Sequence, residues 1–155
     1  MESHSVEPVS MLRFVLVYLV VKLVAAGGLT LYFLTTGTEL FTSTIGITIA
    51  AVGLAMWWYV KAVNRPMLGS EILKFSLGTA LTDVLLSVLW GIGSIWLLDL
   101  TFTWEGVGAV LGEGLDVDTT KLLVVSGLVI GSIQVFAISA LFAWLISKNL
   151  PKKVD

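Results

Sequence analysis

Four apolar stretches, each about 20 residues or longer, dominate this chain. They cover residues 12–34, 40–60, 72–98 and 121–147. A hydrocarbon core about 30 Å thick is crossed by roughly 20 helical residues, so each stretch is long enough to span. Inside a bilayer every backbone N–H and C=O must find its partner within the protein, which selects helices. With 155 residues in all, nothing is left over for a separate soluble domain. The expected fold is all-α: an integral membrane, antiparallel four-helix transmembrane bundle. It forms one domain over residues 1–155, with an extramembrane acidic loop at 99–120.

Composition narrows the chemistry. Hydrophobic residues make up 57% and charged residues 13%, where soluble domains carry about a quarter charged. There is no cysteine, and His4 in the N-terminal tail is the one histidine. Disulfides, thiol nucleophiles, iron–sulfur clusters and a bis-histidine haem in the bundle are thereby excluded. No Ser/His/Asp set, HExxH, phosphate-binding glycine loop or basic stripe for nucleic acid occurs. No cofactor or metal is expected. The stretch "GEGLDVD" offers carboxylates but lacks the spacing of a calcium loop. The N-terminus is not expected to be a cleaved signal. Residues 1–12 carry Glu2 and Glu7 without a basic residue, and Lys22 interrupts a long apolar run.

Basic residues set the orientation. Arg13 flanks the first span, Lys61, Arg65 and Lys74 surround the connection between the second and third, and Lys148, Lys152 and Lys153 follow the fourth. "TTGTEL" between the first two spans has none. The connection after the third span holds five acids, with Lys121 at its far edge. The positive-inside rule places both termini and the middle connection in the cytoplasm. Trp57, Trp58, Tyr59, Trp96, Trp104 and Trp144 lie at span ends, where aromatic rings favour the headgroup level.

Lys22 and Asp83 are the ionisable residues deepest in the spans. Each lies nine residues beyond a cytoplasmic basic residue, Arg13 and Lys74 respectively, or roughly 13 Å into the membrane. Alone, either costs about 2.5–3.5 kcal/mol. At matched depth they are expected to pair. The surrounding faces suit close packing. The third span aligns Ser76, Ala80, Asp83, Ser87, Gly91 and Ser94, with Thr79 beside them. The first aligns Tyr18, Lys22 and Ala26; the second Thr44, Thr48, Ala51 and Ala55; the fourth Gly127, Gly131, Gln134 and Ile138. Tyr18, Ser87 and Gln134 are candidate members of the same intramembrane polar cluster. Internal glue and an ion pathway are both compatible with it.

In the middle connection, "KAVNRPMLGSE", Pro66 ends the second helix, Gly69 permits the turn and Ser70 can cap the third helix. Glu71 suits the helix dipole and can pair with Arg65 at the cytoplasmic surface. The wider segment "YVKAVNRPMLGSEILKFSLGTALTDVLLS" resembles a family of small four-span proteobacterial inner-membrane proteins. Its members carry an Arg–Pro connector, with a Glu a few residues on, between spans two and three; here these are Arg65, Pro66 and Glu71. The resemblance implies the span count and no activity, so no catalytic residue carries over.

The chain therefore reads as a non-enzymatic multi-pass inner-membrane protein acting through partner binding, as an accessory subunit or an immunity protein does. Its lipid surroundings apart, the expected partner is a protein at loop 99–120, through Glu105, Glu113, Asp116 and Asp118. The alternative is a small ion- or proton-coupled transporter or channel component using Asp83. Oligomeric state stays open.

The basic-residue asymmetry makes a direct prediction. A reporter fused after Asp155 should give cytoplasmic signal, and one inserted at Gly112 periplasmic signal. Periplasmic signal at Asp155 would overturn the orientation.

Overall fold

A computed structural model describes residues 9–37, 44–112 and 114–149. These form α1 (Leu12–Thr36), α2 (Thr44–Val63), α3 (Gly69–Leu97), α4 (Trp104–Leu111) and α5 (Val117–Asn149). Among the described residues there is no strand, and the fold is all-α. Four helices are long and apolar enough to cross a membrane, spanning Leu12–Thr36, Ile45–Val63, Gly69–Leu97 and Val117–Asn149. This is a multi-pass membrane protein. The expected residues Glu2, His4, Glu7, Glu113, Lys152 and Lys153, and the start of the second span at 40–43, lie outside the described residues, as does the Thr44 side chain.

Several helices are longer than the apolar runs alone indicate. α5 starts at Val117, within the expected outer loop, because Asp116 caps it: its Oδ1 accepts from the amides of Asp118 (3.0 Å) and Thr119 (2.9 Å). α3 starts at Gly69. Leu68 is its N-cap, with its carbonyl accepting from Ile72 N at 3.0 Å. Ser70, expected as the cap, is exposed within the first turn. The positive backbone angle in this connection falls on Asn64 (φ 50°), just after α2, and not on Gly69. Asn tolerates this left-handed conformation at a helix C-terminus better than most residues. Asp99 (φ 52°) does the same after α3.

The chain divides into two compact units. One comprises the residues up to Thr79 together with those from Val135 onward; the other is Ala80–Gln134. The first holds the core: Met11, Phe14, Tyr18, Val52, Met56, Tyr59, Met67 and Phe75, with Val135 and Ala143 from α5. Phe14 meets Tyr59 edge to face, centroids 5.2 Å apart. Tyr59, grouped by sequence with the interfacial aromatics, is fully buried, whereas its neighbours Trp57 and Trp58 are about half exposed. Position explains the split: α2 buries Thr48, Ala51, Val52, Ala55, Met56 and Tyr59, one stripe at three- and four-residue spacing.

Gly78 marks a close approach of α1 and α3. A Cβ there would lie 2.7 Å from Val15 Cγ2. The GxxxG of Gly127 and Gly131 does not play this part: added Cβ atoms would meet nothing within 4 Å. Gly78→Ala should therefore cost about 1–3 kcal/mol through overpacking, and Val15→Ala in the same chain should recover most of it. Gly127→Ala should cost little. Unfolding in detergent checks all three, and a harmless Gly78→Ala would contradict this packing.

Candidate functional site

The connector motif gathers into a buried polar node. Glu71 has no exposed surface. Arg65 grips it with both guanidinium arms, Nη2 to Oε1 at 2.7 Å and Nη1 to Oε2 at 2.9 Å. This fork geometry is specific to Arg with a carboxylate. The amide of Leu68 donates to Oε2 at 2.8 Å, that of Val9 to Oε1 at 2.6 Å, and the Tyr59 hydroxyl to Oε2 at 3.4 Å. The Leu68 contact is the return half of a capping box: a Glu at the third helical position bonding the N-cap amide. The pair expected at the surface is thus inside, because the segment before α1 closes over it. Glu71 holds the Arg65 guanidinium above its ordinary pKa, against a smaller opposing effect of burial. Pro66 contributes its carbonyl, which accepts from Arg65 Nη1 at 2.9 Å. The connector is tied to α5 as well, through Met67 N to Ser147 Oγ at 3.0 Å.

Deeper in the same unit, Lys22 is 8% exposed. Its ammonium donates to Thr48 Oγ1 at 2.8 Å and stands 5.6 Å from the centroid of the buried Tyr18 ring. Tyr18 is thus beside Lys22 as expected, and Thr48 is a partner that the face pattern named without pairing. Thr79 Oγ1 donates to Ser139 Oγ at 2.8 Å, linking α3 to α5. Among the described residues, no buried side-chain N or O lacks a hydrogen-bond partner.

Asp83 belongs to the second unit, where it lines a cavity of about 460 Å³. Val84, Val88 and Ile92 of α3, Val107 and Leu111 of α4, and Leu123 and Leu128 of α5 contribute apolar walls. Ser87 and Ser132 are the polar companions of Asp83 in the lining. Gly91, Gly127 and Gly131 line it too, so these small residues shape a cavity here. Gln134, expected on the same seam, is exposed. The expected Lys22–Asp83 pair would join residues of the two units and remains an expectation from depth.

The stretch 99–120 is not a plain loop. α4 occupies "WEGVGAVL", capped by Thr103 Oγ1, which accepts from Gly106 N at 3.2 Å. Gly106 and Gly108 are buried. A Cβ at Gly106 would collide with the Thr101 carbonyl, and one at Gly108 would sit 2.8 Å from Thr120 Oγ1. The first position has no room for a side chain, and at the second the buried Thr120 hydroxyl would have to move. Glu105, Asp116 and Asp118 are exposed, and Asp118 accepts from Lys121 Nζ at 3.4 Å. Asp116 is engaged as the α5 cap. The Thr119 amide and hydroxyl, followed by the Asp118 amide, hold its carboxyl below the ordinary carboxylate pKa. Its capping contribution is therefore complete above the unfolded value of about 3.9 and is lost as pH falls through the lower folded value. Among the described residues, no group of three or more His, Asp or Glu is placed to hold a metal.

Glu71→Gln should loosen the node, since a carboxamide presents an N–H₂ to donors that need acceptors. The chain lacks cysteine, so Ser10→Cys gives a clean reporter. Maleimide labelling at position 10 should accelerate in the Glu71→Gln background, and an unchanged rate would show that the Val9 segment is held by other contacts.

Comparison with protein-family models, with curated proteins and with solved structures gave no match for this chain.

Proposed function

We propose that this protein acts without catalysis in a bacterial inner membrane, by binding a protein partner through residues 99–120. An accessory subunit and an immunity protein against a membrane-active toxin share that requirement. The observation that carries the reading is the build of α4. It is capped, seated on two buried glycines, and followed by a capped α5, so its backbone is fixed. Yet the same stretch leaves Glu105 and Asp118 exposed, and Phe102 and Leu111 too, 73% and 50% exposed. Ordered backbone carrying exposed acidic and large apolar side chains suits recognition, since little ordering entropy remains to be lost on binding. The node at Glu71 supports a non-catalytic reading of the connector, because all five of its hydrogen bonds are structural.

A second reading, an ion- or proton-coupled transporter component, is favoured by one observation: Asp83 lines a cavity. The apolar walls weigh against it, since a proton path requires a continuous chain of polar groups or water, and Val84, Val88, Ile92, Leu123 and Leu128 break such a chain. Asp83→Asn abolishing ion flux in proteoliposomes, with folding intact, would favour this second reading.

The partner reading is tested by a photo-crosslinking residue at Glu105, with Leu73 on α3 as the control position. A discrete adduct is expected at 105 alone. Asp118→Asn should weaken it and reduce its salt sensitivity, because one screened attraction has been removed. Equal adducts at both positions, or none at 105, would overturn the assignment.

A further inference from the structure

The cavity of the second unit has a length as well as a volume. Its α3 wall runs from Asp83 to Ile95, about 18 Å at the helical rise. Half of a bilayer's hydrocarbon core is about 15 Å. The cavity thus matches one leaflet in depth, and its volume of about 460 Å³ is within the usual range for ligand sites, about 300–1,000 Å³. Its walls are largely apolar. Gly91, Gly127 and Gly131 keep it open, since added Cβ atoms at all three would meet nothing within 4 Å.

The two ends differ. Asp83 and Ser132 lie at the deep end, while Phe102 and Trp104 lie at the end carried by α4. Trp104 is 42% exposed and has the Lys121 ammonium 6.0 Å from its ring centroid. Lys121 is 3.4 Å from Asp118 Oδ1. An indole, a ring that favours the headgroup level, with a lysine near it and an acid next to that lysine, is complementary to a zwitterionic headgroup: phosphate toward Lys121, ammonium toward Asp118.

We propose that this cavity is a phospholipid site, which holds one acyl chain from the leaflet on the α4 side with its headgroup at Trp104, Lys121 and Asp118. The site does not depend on the partner reading. A lipid seated there fills the space between α3 and α5 that glycines leave open, and it lies directly against α4, the element proposed to meet a partner.

The test uses the full chain in nanodiscs doped with a phosphatidylcholine bearing a diazirine at the end of one acyl chain. After illumination, labelled peptides are mapped by mass spectrometry. Label is expected on cavity-lining stretches of α3 and α5, and roughly tenfold less there in Gly127→Leu, which fills the space. Gly127→Ala, a smaller change, should give an intermediate loss, and helicity is checked by circular dichroism. Lys121→Gln should lower labelling by phosphatidylcholine but not by a diacylglycerol with the same chain. Native mass spectrometry of the unsubstituted protein should retain one phospholipid after bulk lipid is stripped. Label spread evenly over the exposed helix faces and unmoved by Gly127→Leu would overturn the site, as would a protein that retains no lipid. Loss of the crosslinked partner with lipid labelling intact would count against the partner reading alone.

Discussion

A carboxylate with no exposed surface stays ionised only if donors surround it, and the first unit is arranged around that requirement at Glu71. Five hydrogen bonds reach it, from Val9 before α1, Tyr59 near the end of α2, Arg65 of the connector and the Leu68 amide at the N-cap of α3. Val9 comes from 62 residues away and the others from within 12, and one acceptor fixes where each must lie. A buried ion pair is not by itself a source of large net stability. Its effect is specificity: other placements of the connector would strand either the carboxylate or the guanidinium.

The rest of that unit follows the same logic with weaker groups. Lipid tails are as apolar as leucine, so membrane helices associate through close packing and interhelical hydrogen bonds. Lys22 with Thr48 ties α1 to α2, Thr79 with Ser139 ties α3 to α5, and Gly78 lets α1 approach α3. The second unit is built differently. Its small residues border open space, and its tight contacts lie at Gly106 and Gly108, where α4 meets its own loop and the start of α5. The connector end is thus held by polar bonds, whereas the α4 segment pairs a fixed backbone with exposed side chains and a cavity. The binding roles proposed above draw on the second kind of construction.

Much of this was legible in the residues. Long apolar runs mark spans because helices satisfy their backbone in lipid, and Thr48, Ala51 and Ala55 share a face by helical arithmetic alone. Arg65 and Glu71 are close enough in sequence to suggest a pair. Its burial was not legible, because that depends on Val9 and Tyr59 converging from elsewhere. Tyr59 resembles its interfacial neighbours Trp57 and Trp58 until its face is known. Gly78 stands alone in "LGT" and carries no pattern, whereas Gly127 and Gly131 carry one that describes a cavity wall. Ser70 is a good cap by residue type, yet Glu71 caps from inside the helix. α4 spans only eight residues, too few for a helical period to stand out in a stretch read as an acidic loop.

Arg65 and Glu71 act as one structural unit. A double-mutant cycle measures this most directly: Arg65→Met, Glu71→Met and the double change, each unfolded in the same detergent. Removing one member strands the other, so each single change should be costly, and the double should lose less than the sum. A coupling of about 1–3 kcal/mol is predicted, within the range for residues sharing one network. Additive losses, with coupling near zero, would contradict the account.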